Sequence, residues 1–275
     1  MFKKKSLGQH FLHAPAYLRA VVDAADVAAG EIVLEIGPGD GALTRELLGR
    51  GARVVAIEKD HRLLPLLTLT FEKEIRGGQL TLIEGDALEL DPGAMLPPIY
   101  KVVANIPYYI TGALLRKFLT SSTQPSTLVF LIQKEVAQRI ARSKKESLLS
   151  LSVKAYGSPV YIRTVPRGAF VPPPEVDSAI LAVHHISRDN FSDAKQESLF
   201  FDLLHAGFAQ KRKLLTRNLE PVLREQAGDI VAATGLPDKV RAEDVPLHDW
   251  LVLTKTASHK IEYTEAHESA RYSSE

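Results

Sequence analysis

The residues Asn105-Ile106-Pro107-Tyr108 directly follow an apolar run at residues 100–104. Because proline has no N–H to give to a sheet ladder, this pattern predicts a buried strand that ends in a loop. The loop combines a carboxamide, main-chain carbonyls and an aromatic ring, a set that suits a flat base with an exocyclic amine. The Asn105 side-chain oxygen and the carbonyl of Ile106 or Pro107 can accept from the amine while Tyr108 stacks on the base. The same residues also fit an Asn-capped turn with a core tyrosine, so the other strand ends must decide.

Ligand-binding residue types follow three more predicted strands: Gly37 and Gly39 after residues 32–36, Glu58 after residues 53–57, and Asp86 after residues 80–83. In open α/β sheets, ligands bind at the carboxyl ends of the strands. Here the glycines let a ligand approach the backbone, Glu58 can accept from ribose hydroxyls, and Asp86 can accept from an adenine amine. This fingerprint fits NAD, FAD or S-adenosylmethionine.

Three features favour the sulfonium cofactor S-adenosylmethionine over the dinucleotides. Glu35 is an acid at the end of a buried strand, where a nearby cation suits it better than a pyrophosphate. Asp86 is placed to accept from the cofactor adenine, and a hydride-transfer enzyme has no evident use for the Asn105 loop. A dehydrogenase that binds NADH is the alternative.

Composition and charge exclude several other classes. The 275 residues include no cysteine, which excludes disulfides, thiolate metal sites and a cysteine nucleophile. His10 and His13 have no third ligand within sequence reach, so we expect no metal. No run approaches the ~20 apolar residues of a membrane span. We therefore expect a cytoplasmic protein.

The elements that must position these residues alternate between strand and helix up to about residue 142, which predicts a parallel, doubly wound, Rossmann-like α/β sheet. Residues 160–165 and 179–184 follow as strands of an antiparallel hairpin at the sheet edge, and residues 148–155 show no clear period. Short helices follow from about residue 187. We expect a catalytic domain at 1–186, a small all-helical C-terminal domain at 187–256, and a disordered tail at 257–275.

Seven segments resemble, in order, the motifs of the KsgA/RsmA family of ribosomal RNA adenine dimethyltransferases: residues 9–12, 35–39, 58–60, 85–87, 105–108, 170–178 and 208–213. The likeness covers residues 3 to about 253. It implies a seven-stranded methyltransferase sheet that uses S-adenosylmethionine. It also implies dimethylation of two adjacent adenosines in the 3′-terminal hairpin of small-subunit (16S) rRNA, within an assembling 30S particle, by a monomeric enzyme.

The resemblance also assigns roles to individual residues. The implied cofactor site is formed by His10, Leu12, Gly37, Gly39, Glu58, Asp86, Ala87 and Asn105. The implied target-base site is formed by Asn105, Pro107, Tyr108 and Phe170, the last as a second aromatic on the other face of the base or as a core residue before a proline kink. The implied phosphate contacts are Lys3, Lys4, Lys5, Lys211, Arg212 and Lys213. His10 and Ile106 depart from the family, which commonly has Asn and Leu there.

Two further functions fit the same motifs. One is a related enzyme that methylates a large-subunit rRNA adenosine and confers macrolide resistance. The other is an RNA-binding assembly factor that has lost catalysis. The basic runs at residues 3–5, 144–145 and 211–213 suit either RNA phosphates or plain solvated surface.

Overall fold

The computed structural model describes residues 10–272, with side chains described up to Lys260. These residues divide into two compact units. The first contains the described chain up to Arg142 together with Gly157–Ser187, and the second contains Ser143–Tyr156 together with the described chain from Arg188 onward. No helix among the described residues combines the length and apolar character needed to cross a membrane.

The first unit contains nine strands and seven α-helices in its described part. The strands are β1 (Phe11–Leu12), β2 (Ile32–Ile36), β3 (Arg53–Glu58), β4 (Leu80–Glu84), β5 (Lys101–Asn105), β6 (Thr127–Gln133), β7 (Ser158–Val165), β8 (Phe170–Val171) and β9 (Ser178–His184). The helices are α1 (Pro15–Ala24), α2 (Ala42–Gly49), α3 (Leu64–Thr70), α4 (Glu72–Arg76), α5 (Pro92–Met95), α6 (Thr111–Thr120) and α7 (Lys134–Ala141). The leucine-rich stretch between β3 and β4 thus forms two helices, separated at Phe71.

Seven strands form one sheet in the order β4-β3-β2-β5-β6-β9-β7. Strands β2 to β6 are parallel, and β9 and β7 pair antiparallel at one edge. The predicted doubly wound sheet and its edge hairpin are therefore confirmed. The central strands are buried because their runs are apolar on both faces, as parallel strands covered by helices require.

Strands β1 and β8 form a separate antiparallel pair that the sequence analysis did not predict. Phe11 lies opposite Val171 and Leu12 lies opposite Phe170. A two-residue strand carries no detectable alternation, so only the fold reveals this pairing. It brings the segment that begins at residue 10 beside the proline-rich segment that follows Val171.

The second unit is helical in its described part, with α8 (Leu148–Lys154), α9 (Ala194–Phe208), α10 (Leu215–Leu223), α11 (Ala227–Ala233) and α12 (Leu247–Tyr272). Helix α8 is the stretch without clear period; its start is a capping box in which Ser147 and Ser150 bond each other's backbone N–H. It belongs to this unit, although the sequence placed it in the first domain. The described backbone also stays helical to Tyr272. The loss of apolar periodicity after residue 257 had instead predicted a disordered tail there.

Candidate active site

The four parallel strands that carry the predicted site residues end at one edge of the sheet. Ile36 at the end of β2 pairs with Ile57 of β3 on one side and with Ala104 of β5 on the other. The next residue along each strand, Gly37, Glu58 or Asn105, therefore lies at the same level, where the strand ends. This register places the glycine loop between an acidic and an amide side chain.

The glycine loop, residues 37–41 after β2, packs against a neighbouring side chain at Gly39, where only glycine fits. Gly39 has φ +62°, and a Cβ added there would lie 2.6 Å from Cε1 of Phe11. Gly37 has φ +68°, with no atom within 4 Å of the place where its Cβ would be. The loop backbone is thus packed against Phe11 at Gly39 and open to the cleft at Gly37, where a ligand can approach it closely.

The Glu58 carboxylate anchors this loop from the end of β3. Its Oε2 accepts from the Gly39 N–H at 3.1 Å, and its Oε1 accepts from the Asp60 N–H at 2.8 Å. Burial raises the pKa of Glu58, against the opposing effect of these backbone bonds. An ionised carboxylate offers about four acceptor sites, so Glu58 can hold the loop and still accept from a ribose hydroxyl.

Asp86, after β4, is paired with an exposed lysine. Its Oδ2 accepts from Lys59 Nζ at 2.6 Å, and its Oδ1 accepts from the Leu88 N–H at 2.9 Å. The hydrogen bond from Lys59 is the main reason that the pKa of Asp86 is lowered. Asp86 is therefore an ionised acceptor at the cleft, as binding of an adenine amine requires.

Glu35 does not have the environment that the sequence analysis assumed for it. Its side chain is 1% exposed and does not line the cleft within the described residues. Its Oε2 accepts from the Thr44 hydroxyl at 2.7 Å, and its Oε1 is buried without a hydrogen-bond partner. Burial raises the pKa of Glu35 to about 8. The low-dielectric surroundings therefore favour the neutral acid over the negative charge that the sequence argument for a cation assumed.

Asn105 is held at the cleft by the segment that precedes β1. Its Nδ2 donates to the main-chain carbonyl of His10 at 2.9 Å. This bond uses the amide N–H, so the Oδ1 oxygen is the group available as an acceptor. The His10 ring bonds through Nδ1 to the Pro172 carbonyl at 2.9 Å, which ties the same segment to the proline-rich stretch.

Two main-chain carbonyls next to Asn105 were proposed as partners for a base amine. The Pro107 carbonyl already accepts from the Ile110 N–H at 3.2 Å, a bond that starts the 3₁₀ turn Tyr108–Ile110. The Ile106 carbonyl belongs to no such turn. One of the two lone pairs of the Pro107 carbonyl is thus already used, which makes Ile106 the freer main-chain acceptor, and the catalytic role predicted for Pro107 stays a prediction.

Tyr108 is anchored at its hydroxyl and flanked on its ring. The hydroxyl lies 2.7 Å from Ser178 Oγ at the start of β9, and burial raises the pKa of Tyr108. The His10 ring lies near the tyrosine ring, with centroids 6.3 Å apart and planes tilted by 26°. These contacts fix the orientation of an aromatic face at the cleft, as a stacking role requires.

Phe170 lines the cleft but is only 3% exposed, and it packs within the main hydrophobic core. Its burial in the core fits the packing role, and its place in the cleft lining fits the stacking role. The role of Phe170 therefore stays a prediction. Leu12, its partner in the β1–β8 pair, is also buried and lines the cleft.

All eleven residues predicted for the cofactor and the base line one cleft of about 1180 Å³, counting the solvent at its mouth: His10, Leu12, Gly37, Gly39, Glu58, Asp86, Ala87, Asn105, Pro107, Tyr108 and Phe170. Their individual roles stay predictions. Three further residues support the site: Phe11, which covers Gly39, Ser178, which bonds Tyr108, and Tyr109 at the mouth. Phe11 and Ser178 lie within the family-like segments, but no local sequence signal predicts a function for either.

The predicted phosphate contacts lie elsewhere in the chain. Lys211, Arg212 and Lys213 are exposed in the loop between α9 and α10 of the second unit, and their role stays a prediction. Lys3, Lys4 and Lys5 lie outside the described residues. Among the described residues, no group of three or more His, Asp or Glu side chains is arranged to hold a metal ion.

The cleft suits S-adenosylmethionine by its shape and its chemistry. The open space beside Gly37 admits a ligand against the backbone. Asp86 and Glu58 offer acceptors for an adenine amine and ribose hydroxyls, while Ile57, Ala87 and similar side chains supply apolar contact. The fold and this site define a Rossmann-like, S-adenosylmethionine-dependent methyltransferase.

A family model described as ribosomal RNA adenine dimethylase matches residues 1–259. The chain belongs to this family, and it is an rRNA adenine dimethyltransferase that uses S-adenosylmethionine. The ribosomal RNA small subunit methyltransferase A of Deinococcus radiodurans is 42% identical over 250 residues, which cover 88% of this chain and 82% of that protein. The protein of the same name from Dehalococcoides mccartyi is 41% identical over 253 residues, 90% of this chain and 86% of that protein.

Solved structures show the same fold. A dimethyladenosine transferase from Plasmodium falciparum aligns with a TM-score of 0.72 and 26% identity, covering 89% of this chain and 96% of that one. The 23S rRNA methyltransferase ErmE aligns with a TM-score of 0.74 and 24% identity, covering 90% of this chain and 99% of that one. The resemblance to the KsgA/RsmA family and the expected fold class are therefore confirmed, the likeness to ErmE being one of fold alone.

Proposed function

We propose that this enzyme dimethylates N6 of two adjacent adenosines in the 3′-terminal hairpin of small-subunit rRNA. The main support is the position of the Asn105 carboxamide. It bonds the His10 carbonyl and lies at the end of β5, beside the glycine loop that follows β2. The relatives named as small subunit methyltransferases support the choice of rRNA.

The amine of adenine explains why a carboxamide is needed there. Its nitrogen is a poor nucleophile because the lone pair is delocalised into the ring. Asn105 Oδ1 and the Ile106 carbonyl accept its two N–H bonds, draw them out of the ring plane and restore the lone pair. Because the acceptors are fixed before the base arrives, they need no reorganisation during the reaction.

Tyr108 holds the flipped base by stacking, with its hydroxyl kept in place by Ser178. Phe170 bounds the pocket from the β1–β8 side. Stacking of this kind contributes about 1–3 kcal/mol per base, comparable with the cost of taking a base out of a helix.

The cofactor residues act by position and electrostatics. Bound S-adenosylmethionine supplies a methyl group activated by a sulfonium. Glu58 would hold its ribose, Asp86 and Ala87 its adenine, and Gly37 and Gly39 its methionine part. His10 and Leu12 close the side of the pocket next to Asn105. The amine nitrogen would take the methyl group directly as the bond from that carbon to sulfur breaks, S-adenosylhomocysteine would leave, and the methylated amine would lose its proton to water.

Lys211, Arg212 and Lys213 contact RNA phosphates, so RNA binding weakens with salt and carries little sequence information. The substrate is an assembling 30S particle in the cytoplasm, and the enzyme acts as a monomer. RNA shape and splayed bases provide recognition.

The test compares Asn105→Ala with Asn190→Ala. Both asparagines donate Nδ2 to a backbone carbonyl, but Asn190 bonds Ala155 in the second unit. Undermethylated small subunits are incubated with labelled S-adenosylmethionine, and the rRNA is digested to nucleosides. We expect N6,N6-dimethyladenosine from the wild type and from Asn190→Ala, and a rate about 100- to 1,000-fold lower from Asn105→Ala.

Dimethyladenosine formed by Asn105→Ala at the wild-type rate would refute the role of the carboxamide. In a parallel reaction with large-subunit rRNA, label that appears there and not in the small subunits would favour the macrolide-resistance type of enzyme. Subunits that bind but never acquire label would favour a non-catalytic assembly factor.

A further inference from the structure

Tyr109 differs sharply from Tyr108, although the two are neighbours in the same 3₁₀ turn. Tyr109 lines the cleft yet is 69% exposed, so its ring lies at the mouth. The backbone beneath it is fixed, because the Ile110 N–H donates to the Pro107 carbonyl at 3.2 Å. The turn thus directs one tyrosine into the site and presents the other to solvent.

A cationic side chain, Lys59, lines the same cleft as Tyr109. Lys59 is 63% exposed, and its ammonium bonds Asp86 at 2.6 Å. The pKa of Lys59 is raised mainly by that bond and, to a smaller extent, by the nearby Tyr109 hydroxyl. An aromatic face and an ammonium group that line one cleft are the combination that binds a base and its phosphate.

Core packing does not explain why Tyr109 is aromatic. A side chain with this exposure buries little apolar surface and contributes little to stability. Ile99 is similarly exposed, at 77%, but does not line the cleft. The position of Tyr109, rather than its exposure alone, makes it unusual among the described residues.

We propose that Tyr109 is a second stacking platform, which binds the base next to the target adenosine while Tyr108 holds the target itself. This inference rests on the proposed function, since it takes the ligand to be single-stranded RNA with one base flipped into the cleft. The two tyrosines of the turn stack on successive bases. The Lys59 ammonium attracts the RNA phosphate at the mouth of the cleft. The contact reads no sequence, because every base has a π face.

The test uses a hairpin RNA in which 2-aminopurine replaces the nucleotide beside the target adenosine. Binding is followed by fluorescence for the wild type, Tyr109→Ala, Tyr109→Leu, Tyr109→Phe and the surface control Ile99→Ala. We expect Tyr109→Ala and Tyr109→Leu to lose about 5- to 10-fold in RNA affinity, together with most of the quenching that aromatic stacking causes. Tyr109→Phe should restore both, and Ile99→Ala should match the wild type.

In methyl-transfer kinetics, Tyr109→Ala and Tyr109→Leu should raise KM for RNA. Their affinity for S-adenosylmethionine, measured by calorimetry, should match that of the wild type and so show that the cleft is folded. Unchanged affinity and quenching in Tyr109→Ala would overturn the proposal. Equal behaviour of Tyr109→Leu and Tyr109→Phe would also overturn it, since the contact would then need apolar area and not a ring. Either failure leaves the Asn105 experiment, which measures the chemistry, unaffected.

Discussion

Replacing Glu35 with glutamine tests whether the acid beneath the glycine loop is neutral. Gln has nearly the same shape, can keep the acceptor bond from the Thr44 hydroxyl, and never ionises. The wild-type side chain is buried, with one oxygen lacking a partner. Its pKa of about 8 is raised chiefly by burial, from a reference value of 4.5.

The sign of the effect follows from proton binding. Between about pH 4.5 and about pH 8, folded Glu35 keeps a proton that the unfolded chain has lost. Its contribution to stability is therefore complete below the lower pH and is lost as pH rises through the upper one. Each pH unit in this window lowers the free energy of unfolding of the wild type by up to about 1.4 kcal/mol, which amounts to roughly 3–5 kcal/mol over the whole window. The Glu35→Gln variant avoids this cost.

The assay is urea unfolding of the wild type and Glu35→Gln at half-unit steps from pH 5 to 8. We expect the free energy of unfolding of the variant, relative to that of the wild type, to rise steadily across that range, by a few kcal/mol at the upper end. The difference between the proteins isolates Glu35 from Glu58, whose pKa is also raised. The exposed Glu72 on α4 provides the control, and Glu72→Gln should follow the wild type at every pH.

A stability difference between Glu35→Gln and the wild type that stays constant from pH 5 to 8 would refute the reasoning. It would mean that Glu35 is ionised in the folded protein at neutral pH and that a bonding partner offsets its desolvation.

Two other substitutions test the supports of the site. Gly39→Ala should lose about 1–3 kcal/mol of stability and weaken S-adenosylmethionine binding in calorimetry, because its φ is +62° and its Cβ would meet Phe11. Gly78→Ala, at φ +69° in open space, should cost only about 1 kcal/mol and leave cofactor affinity intact; equal effects would exclude the Phe11 contact as the cause. Ser178→Ala should raise KM for RNA, because it frees the Tyr108 hydroxyl. In a Tyr108→Phe background it should have no further effect, and additive losses in that double-mutant cycle would contradict the positioning role.

Local sequence signals determined the sheet strands and the residues at their ends. Apolar runs marked the buried strands, and a break at Gly37 or Pro107 marked where each strand stopped. Because parallel strands end at one edge, the order of these signals was enough to gather Glu58, Asp86 and Asn105 at one cleft. This information is contained in short stretches of sequence, so no tertiary contact was needed to predict it.

Only the tertiary structure decided how these residues are supported. The His10 carbonyl that holds Asn105 is 95 residues away in sequence, and the Ser178 hydroxyl that holds Tyr108 is 70 residues away. Such contacts have no local period. The raised pKa of Glu35 likewise depends on what the rest of the fold packs around it, because burial raises a carboxyl pKa only when neighbouring elements remove its water.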